Sequence, residues 1–305
     1  MKSRTAALIA AFSANLIYGI NYVVAKGIMP DYLQPRAIIF ARVIVAALLF
    51  WLITPFVAAE KVSKKHLFQI AVAALFGLAA NQILFFEGLN LTTPINASII
   101  MVGAPIAVLF FSQWINKERI TKTKVLGIVL GSFGAAYLIL GSGEISFSKD
   151  TFLGNILILL NASTYALYLV LIKPIMQHYK AITVMRWIFL FGAIFILPFT
   201  LMPALEANWS EIPFNIWLSV VYVIFFTTFL AYLLNNYSLK TIHPSTNSAF
   251  IYLQPVFSSI LALSFKKDTL GIQEVVAALF IFAGVYFVSR KNQLHVFTAK
   301  LIQEK

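Results

Sequence analysis

The chain of 305 residues contains no cysteine, which excludes disulfide bonds, thiolate metal sites and cysteine catalysis. Charge is also scarce: only 11% of the residues are charged, whereas soluble domains carry about 25%. Hydrophobic residues make up 60% of the sequence, and the mean hydropathy is +0.87. This composition excludes a soluble globular protein and indicates a polytopic membrane protein.

Acidic residues are fewer than basic ones: the chain has 11 Asp and Glu and 23 Lys and Arg, which gives a formal net charge of +12. The basic residues form no run long enough for a nucleic-acid footprint, so we expect no nucleic-acid partner. In membrane proteins Lys and Arg collect in cytoplasmic loops. Here the loops of the opposite side hold only Lys26, Arg36, Lys149, Lys266 and Lys267. The bias predicts an inner or plasma membrane protein with both termini in the cytoplasm.

The stretch 244–268 repeats the stretch 94–118 without gaps, at a spacing of 150 positions. The repeat places Pro105 over Pro255 in the middle of the two stretches. A coincidence of this kind predicts an internal duplication. Each copy is also apolar for about 20 residues, the length that crosses a bilayer core of about 30 Å. Both copies are therefore predicted to be membrane helices.

The duplication and the apolar runs predict an all-α polytopic membrane protein of ten transmembrane helices, arranged as two inverted five-helix repeats. The first repeat covers residues 1–141, a polar linker covers 142–151, the second repeat covers 152–291, and 292–305 form a cytoplasmic tail. Five crossings are an odd number, so the second repeat enters the membrane in the opposite orientation.

Two phrases of the sequence resemble a known family. The run Phe85–Asn90 before the first broken helix and the run Tyr252–Pro255 in the second half are similar to EamA-type transporters of the drug/metabolite transporter superfamily. The resemblance covers almost the whole chain. It implies a ten-helix inverted-repeat fold and the movement of a small metabolite, commonly its export.

The two aligned prolines predict breaks in their helices. A proline inside a helix has no N–H to donate and frees the carbonyl four residues earlier, which here belongs to Met101 and to Ile251. Inside a membrane such a break is tolerated where it faces protein or a water-filled cavity. We therefore predict that Pro105 and Pro255 border a cavity between the two repeats and take part in gating.

Polar and aromatic side chains inside the predicted spans are the candidates for lining this cavity, because such groups are costly in lipid. Amides and rings together suit an amphipathic or zwitterionic solute. The alternative is that the same groups join helices by hydrogen bonds of about 0.6 kcal/mol each. The candidate substrate-binding residues are Asn15, Tyr18, Tyr22, Asn81, Gln82, Phe85, Ser98, Asn161, Tyr165, Tyr168, Tyr232, Ser248 and Tyr252.

Three charged residues lie within or near the ends of the predicted spans. Arg42 and Arg186 occupy matching positions in the two repeats, and they either reach a surface or backbone carbonyls, or recognise an anion. Glu87 is expected to be a carboxylate at the outer surface, with proton coupling as the alternative role. Small residues, by contrast, predict a close crossing of the fifth and tenth helices, on Gly127, Gly131, Gly134, Ala277 and Gly284.

The leading hypothesis is a secondary transporter that moves an amino acid or similar amphipathic solute by alternating access. A passive facilitator or channel-like pore is one alternative, and an intramembrane enzyme is another. The enzyme is disfavoured because the four histidines lie in predicted loops or tails and no catalytic motif occurs. We expect no cofactor and no metal. The expected partners are the solute and membrane lipid, with the protein a monomer or weak dimer.

Overall fold

The computed structural model describes residues 2–57, 60–93, 97, 100–140, 149–257 and 272–289, and every regular element in these ranges is helical. The predicted Ser98, most of the linker and the tail 292–305 lie outside them. The helices are α1 (Lys2–Lys26), α2 (Pro35–Ile53), α3 (Lys64–Leu91), α4 (Ala104–Asn116), α5 (Lys122–Leu140), α6 (Lys149–His178), α7 (Ala181–Leu205), α8 (Phe214–Leu239), α9 (Pro244–Ser248) and α10 (Ile272–Ser289).

Within the described ranges, six helical segments are long and apolar enough to cross a membrane, namely most or all of α1, α2, α3, α6, α7 and α8. The helix α4 and the segment Val275–Ser289 of α10 are apolar but shorter. The all-helical membrane class predicted from the sequence is therefore confirmed. The count of ten spans and their inverted arrangement stay predictions.

Two of the long helices contain a π-helical stretch. It covers Leu75–Ala80 in α3 and Tyr222–Leu230 in α8. The first stretch, moved by the repeat spacing of 150, falls inside the second. A π turn widens the helix and changes the direction in which the following side chains point, and such turns are common at functional sites. Here the residues that follow are Asn81 and Gln82 in α3 and Tyr232 in α8.

Helices α5 and α10 cross as closely as the sequence predicts. A Cβ atom built on Gly284 would lie 2.5 Å from the Gly131 nitrogen and 2.7 Å from the Gly127 oxygen, so the two backbones are in contact. A Cβ on Gly134 would lie 2.8 Å from the Ala277 oxygen. Gly127 and Gly134 correspond to Ala277 and Gly284 by the spacing of 150. The contact between Gly127 and Gly284 is therefore equivalent to the contact between Ala277 and Gly134, with the roles of the two repeats exchanged.

Both proline-containing segments are interrupted before the proline. Val102 and Gly103 form a turn, and α4 begins at Ala104 with Pro105 as its second residue. In the second half a 3₁₀ turn, Ala249–Tyr252, separates α9 from the helical residues around Pro255. The predicted helix breaks are therefore present in both segments.

A lysine caps the carboxyl end of α3, and another caps that of α8. Lys26 Nζ donates to the carbonyls of Leu89, Asn90 and Thr92 at 2.9, 3.0 and 3.3 Å. Lys173 Nζ donates to the corresponding carbonyls of Leu239 and Ile242, 150 positions later than Leu89 and Thr92, at 2.5 and 2.9 Å. The last carbonyls of a helix lack partners within it and carry partial negative charge, which a cation stabilises.

The α5–α10 crossing gives a prediction about stability. Gly284→Ala places a methyl group against the backbone of α5, where nothing flexible can give way, so we expect it to cost about 1–3 kcal/mol. Thermal unfolding of the purified protein measures the effect. Gly27→Ala is the matched control, because its Cβ would meet no atom closer than 3.5 Å. Equal melting temperatures for the two variants would contradict the close crossing.

Candidate functional site

A cavity lies in the interior of the bundle, between α1, α2, α3, α6, α8 and the two interrupted segments. About 80 Å³ of it is open to the centre of a water molecule. The predicted candidates found in its wall are Tyr18, Tyr22, Asn81, Gln82, Phe85, Asn161, Tyr165, Tyr168 and Tyr232. The wall also contains Met101 and Ile251, the residues whose carbonyls the two prolines were predicted to free, but Pro105 and Pro255 themselves are not part of it.

A hydrogen-bonded pair joins the two halves of the chain at the cavity. Gln82 Nε2 donates to the Tyr232 hydroxyl at 2.5 Å, and these residues are 150 positions apart. The Tyr232 hydroxyl in turn donates to the Gly77 carbonyl at 3.2 Å, inside the π-helical stretch of α3. Because the Tyr232 hydroxyl donates its single hydrogen to the Gly77 carbonyl, it must act as the acceptor in its hydrogen bond with Gln82. This fixes the amide orientation, with the Gln82 oxygen turned away from Tyr232.

Other polar residues of the wall are held by the neighbouring helix. Asn161 Nδ2 donates to the Asn81 carbonyl at 2.9 Å, which ties α6 to α3. The Tyr168 hydroxyl donates to Asn236 Oδ1 at 2.7 Å, and Asn235 Nδ2 donates to the Tyr165 hydroxyl at 3.3 Å. These bonds hold the two tyrosine side chains of α6 in place in the cavity wall.

The aromatic part of the wall is built from edge-to-face contacts. The rings of Tyr18 and Tyr232 lie 6.4 Å apart at 85°, and those of Tyr22 and Phe85 lie 5.5 Å apart at 64°. Such contacts add about 0.5–1.5 kcal/mol beyond the burial of the rings. They give a rigid apolar surface that can receive an apolar group or the face-on approach of a cation.

Four side-chain oxygens in the wall have no hydrogen-bond partner among the residues that the structure describes. They belong to Asn21, Gln82, Thr227 and Asn235, whose side chains are buried. An unpaired buried oxygen costs about 1–3 kcal/mol. Each of these oxygens is therefore an acceptor that no described residue uses, although it has almost no accessible surface of its own.

Arg42 also lies in the wall, and the alternative that it recognises an anion gains support from its surroundings. Its exposure is only 2%. Its Nε donates to Thr228 Oγ1 at 2.7 Å, and the guanidinium carbon lies 4.7 Å from the centre of the Phe86 ring. Arg186, its counterpart in the repeat, lies elsewhere: it donates to the Glu60 carbonyl at 3.2 Å and packs on Trp51.

Three predicted candidates do not line the cavity. Asn15 accepts from Gln254 Nε2 at 2.7 Å and so orients a residue of the wall. Ser248 donates to the Ser245 carbonyl at 3.2 Å. Tyr252 is fully buried and shares a hydrogen bond of 2.9 Å with Ser132 in α5. Asn15 and Tyr252 thus join different helical segments, the role that was weighed as the alternative, whereas Ser248 bonds within its own helix α9.

The wall also contains residues that were not among the candidates. Asn21 lies three positions after Tyr18, so helical spacing from a correct candidate was the signal that could have found it. Gln254 stands next to Pro255 in the sequence phrase that carries the family resemblance. Thr227 lies in a π-helical stretch, where the ordinary spacing fails and no sequence signal marks it.

Glu87 lies at the surface of the bundle and is paired with a cation. Its Oε1 is 2.6 Å from Arg36 Nε, and the two side chains are 25% and 49% exposed. This is the surface carboxylate expected from the sequence, and it does not line the central cavity. Among the described residues no cluster of His, Asp or Glu has the geometry to bind a metal ion.

A second polar cluster surrounds Glu118, between α4 and α5. Its carboxylate lies 2.6 Å from Lys124 Nζ and accepts hydrogen bonds from Ser112 and from Ser245 of α9. Burial alone would raise the pKa of this carboxyl, but Lys124 and the two hydroxyls outweigh it and lower the pKa below the ordinary value. Glu118 is therefore ionised at neutral pH, and it fastens the start of α9 to the first half of the chain.

The sequence model of the EamA-like transporter family matches this chain twice, over residues 5–140 and 152–290. The chain belongs to the EamA-like transporter family. The two matches together leave out little more than the segment between them and the terminal residues. They place α1 to α5 in one copy of the family sequence and α6 to α10 in the other.

Relatives of this EamA-like protein are transporters by name. The chain is 28% identical over 263 residues to the uncharacterized transporter YyaM of Bacillus subtilis (strain 168), with 85% of each chain covered. It is 25% identical over 305 residues to the uncharacterized transporter YetK of the same organism, covering 98% of this chain and 92% of YetK.

A more distant relative carries a substrate in its name. The "Probable terminal-alkyne amino-acid exporter" of Streptantibioticus cattleyicolor is 21% identical over 224 residues, which are 73% of each chain. A solved crystal structure superimposes with a TM-score of 0.76 at 16% identity, covering 93% of this chain and 96% of that one. At this identity the superposition shows a shared fold and nothing about the solute.

The position of Glu87 predicts that its charge is dispensable for transport. Glu87→Gln should leave solute exchange and its dependence on a pH gradient unchanged, because the pair lies outside the cavity wall and a solvent-exposed ion pair contributes about 0–1 kcal/mol. Exchange and gradient-driven uptake by proteoliposomes measure both activities. Arg36→Gln is the control that breaks the same pair. Loss of gradient-driven accumulation in Glu87→Gln alone, with exchange retained, would show a coupling role.

Proposed function

We propose that the protein is a secondary transporter that moves a small metabolite, an amino acid or similar amphipathic solute, across the inner or plasma membrane by alternating access, in the direction of export. The observation that carries the proposal is a central cavity walled by both halves of the chain, at the level where helices of each half are interrupted. Membership of a transporter family supports it.

The location of the interruptions supports transport over a structural role for the cavity. Irregular backbone inside a membrane is tolerated where it lines a cavity, and binding sites of secondary transporters lie at such breaks. The π-helical stretch Leu75–Ala80 leads directly to Gln82, and Tyr222–Leu230 leads to Tyr232. Gln82 and Tyr232 meet in the cavity wall. Movement of either half at its interruption would change the shape of the site.

The paired contacts support two repeats related by a pseudo-twofold axis. The α5–α10 crossing makes the same glycine contact twice, and Gln82 bonds to the residue at its own position in the other repeat. A residue that touches its own counterpart lies close to a twofold axis. We propose that this axis lies in the membrane plane, so that the repeats are inverted and rocking of one against the other exposes the cavity alternately.

The wall supports the substrate class. Rings and uncharged amides provide an apolar surface with a few fixed polar groups, the composition typical of sites for small amphipathic molecules. The relative that is named as an amino-acid exporter agrees with this class and with export.

Counterflow into proteoliposomes tests the proposal. Vesicles loaded with unlabelled amino acids, polyamines, purines or sugars should accumulate the corresponding labelled solute transiently, in a saturable way. A carrier shows counterflow because it returns loaded, whereas a pore gives only equilibration. Uptake without counterflow would favour a channel-like pore, and no movement of any solute in this panel would contradict the proposed function.

Gln82 is predicted to bind the solute. Gln82→Leu removes both its bond to Tyr232 and its free oxygen, so we expect the half-saturating solute concentration to rise at least about tenfold, corresponding to about 1.4 kcal/mol. Gln69→Leu is the matched control, since Gln69 lies exposed on the same helix α3. Equal transport by the two variants would remove Gln82 from the site.

The proposed orientation can be tested in intact cells, because the chain has no cysteine of its own. Ser63 and Ser210 are both exposed and stand at opposite ends of the bundle in the proposed topology. A cysteine at Ser210 should react with an impermeant maleimide from outside, and a cysteine at Ser63 should react only after the membrane is opened. Labelling of both in intact cells would contradict the topology.

A further inference from the structure

Arg42 brings a positive charge into the cavity wall without a negative partner among the described residues. The ion pairs in those residues are Arg36–Glu87 and Lys124–Glu118, and both lie outside the wall. Arg42 itself contacts a hydroxyl, at Thr228, and a ring, at Phe86. A guanidinium has five N–H donors, and the bond to Thr228 uses only the one on Nε. The terminal nitrogens remain for a ligand.

A charge buried to this degree requires compensation, because the interior solvates it poorly. The neutral contacts of Arg42 supply a small part of what a carboxylate would supply, since charge-assisted bidentate bonds are the strongest that a guanidinium makes. An anionic group of the transported solute would provide this compensation while it occupies the cavity.

The unpaired oxygens in the wall are complementary to a positive group. Those of Asn21, Gln82 and Asn235 belong to side chains that are 4%, 4% and 1% exposed. The Gln82 oxygen does not bond to Tyr232, because the nitrogen of the same amide does, and no other described donor reaches it. Three of the four unpaired oxygens are amide oxygens, which only accept, and together they can serve the three N–H donors of an ammonium group. Tyr18 and Tyr232 line the same cavity, where their rings can attract a cation.

We propose that Arg42 binds the anionic group of the solute, that the amide oxygens of Asn21, Gln82 and Asn235 bind its ammonium group, and that the cavity therefore selects zwitterionic amino acids with an uncharged side chain. An amine of the same shape lacks a partner for Arg42 and is repelled by it. A carboxylic acid of the same shape leaves the amide oxygens unpaired. This inference rests on the proposed transport function.

Matched sets of ligands test the selectivity of the detergent-purified protein. L-leucine, L-methionine and L-phenylalanine are each compared with their methyl ester, their decarboxylated amine and their deaminated acid. A ligand that binds the folded state raises the melting temperature with its concentration. We expect at least one of the amino acids to raise it, and its ester, amine and deaminated acid to bind at least about 30-fold more weakly, as expected when a buried charge loses its partner.

Substitutions of Arg42 test the residue. Arg42→Gln should weaken the same amino acid at least about 30-fold. It should also keep or raise the melting temperature of the ligand-free protein, because it removes an uncompensated charge. Arg42→Lys keeps the charge but loses the bidentate geometry and should bind with intermediate affinity. Arg186→Gln is the matched control, since Arg186 occupies the counterpart position outside the cavity wall, and it should leave ligand affinity unchanged.

The outcomes separate this inference from the proposed function. Equal affinity of wild type and Arg42→Gln for the amino acid, or equal binding of amine and amino acid by the wild type, overturns the inference. If no amino acid binds but a sugar, purine or polyamine shows counterflow, the result supports the proposed transport function and contradicts the proposed binding role of Arg42. If Arg42→Gln does not fold, the ligand series on the wild type and on Arg42→Lys decides alone, with equal affinities for amine and amino acid counting against the inference.

Discussion

The arrangement of this protein follows from the cost of leaving a polar group without a partner inside a membrane. Most polar side chains of the spans meet that requirement by bonding to another helix, as Asn161 does with the Asn81 backbone and Tyr252 with Ser132. The oxygens of Gln82 and Asn235 do not, and both line the cavity. Unpaired buried atoms also lie outside the wall, for example on Asn90, Trp187 and Asn247. An oxygen is therefore a candidate for binding a solute only where it both lacks a partner and lies in the wall.

The interrupted helices are the second consequence of this requirement. A π turn or a proline leaves carbonyls without their usual partner, and the bundle must satisfy them by other means. The Tyr232 hydroxyl donates a hydrogen bond to the Gly77 carbonyl in the π-helical stretch of α3. Lys26 and Lys173 donate hydrogen bonds to the last carbonyls of α3 and of α8, respectively. The hydrogen bond that satisfies the Gly77 carbonyl thus also holds Tyr232 beside Gln82. A bond that the irregular helix requires therefore helps to form the cavity wall.

The sequence predicted the helix breaks, the α5–α10 crossing and most of the cavity wall, because proline, glycine and helical periodicity act locally. It did not distinguish Tyr252 from Tyr232. Both lie on a face with other polar residues, but Gly131 leaves a gap in α5 that the Tyr252 ring fills, with its Cδ2 at 2.3 Å from where a Cβ would be. Periodicity defines the face of a helix and not the neighbour that covers it. The burial of Arg42 was open for the same reason, since it depends on Thr228, a residue 186 positions away.

The two arginines show how the copies of a duplicated chain come to differ. Arg42 and Arg186 hold matching positions, yet Arg42 lies against Thr228 and Phe86 in the cavity wall, whereas Arg186 reaches the Glu60 carbonyl. The lysine caps of the two halves, by contrast, use the same carbonyl positions. The last carbonyls of a helix need partners wherever a helix ends, and a lysine supplies them in both repeats. A charge in a cavity wall is costly without a partner. In the proposed site the solute is the partner of Arg42, whereas Arg186 has the Glu60 carbonyl outside the wall. Recognition can therefore be asymmetric within a symmetric scaffold.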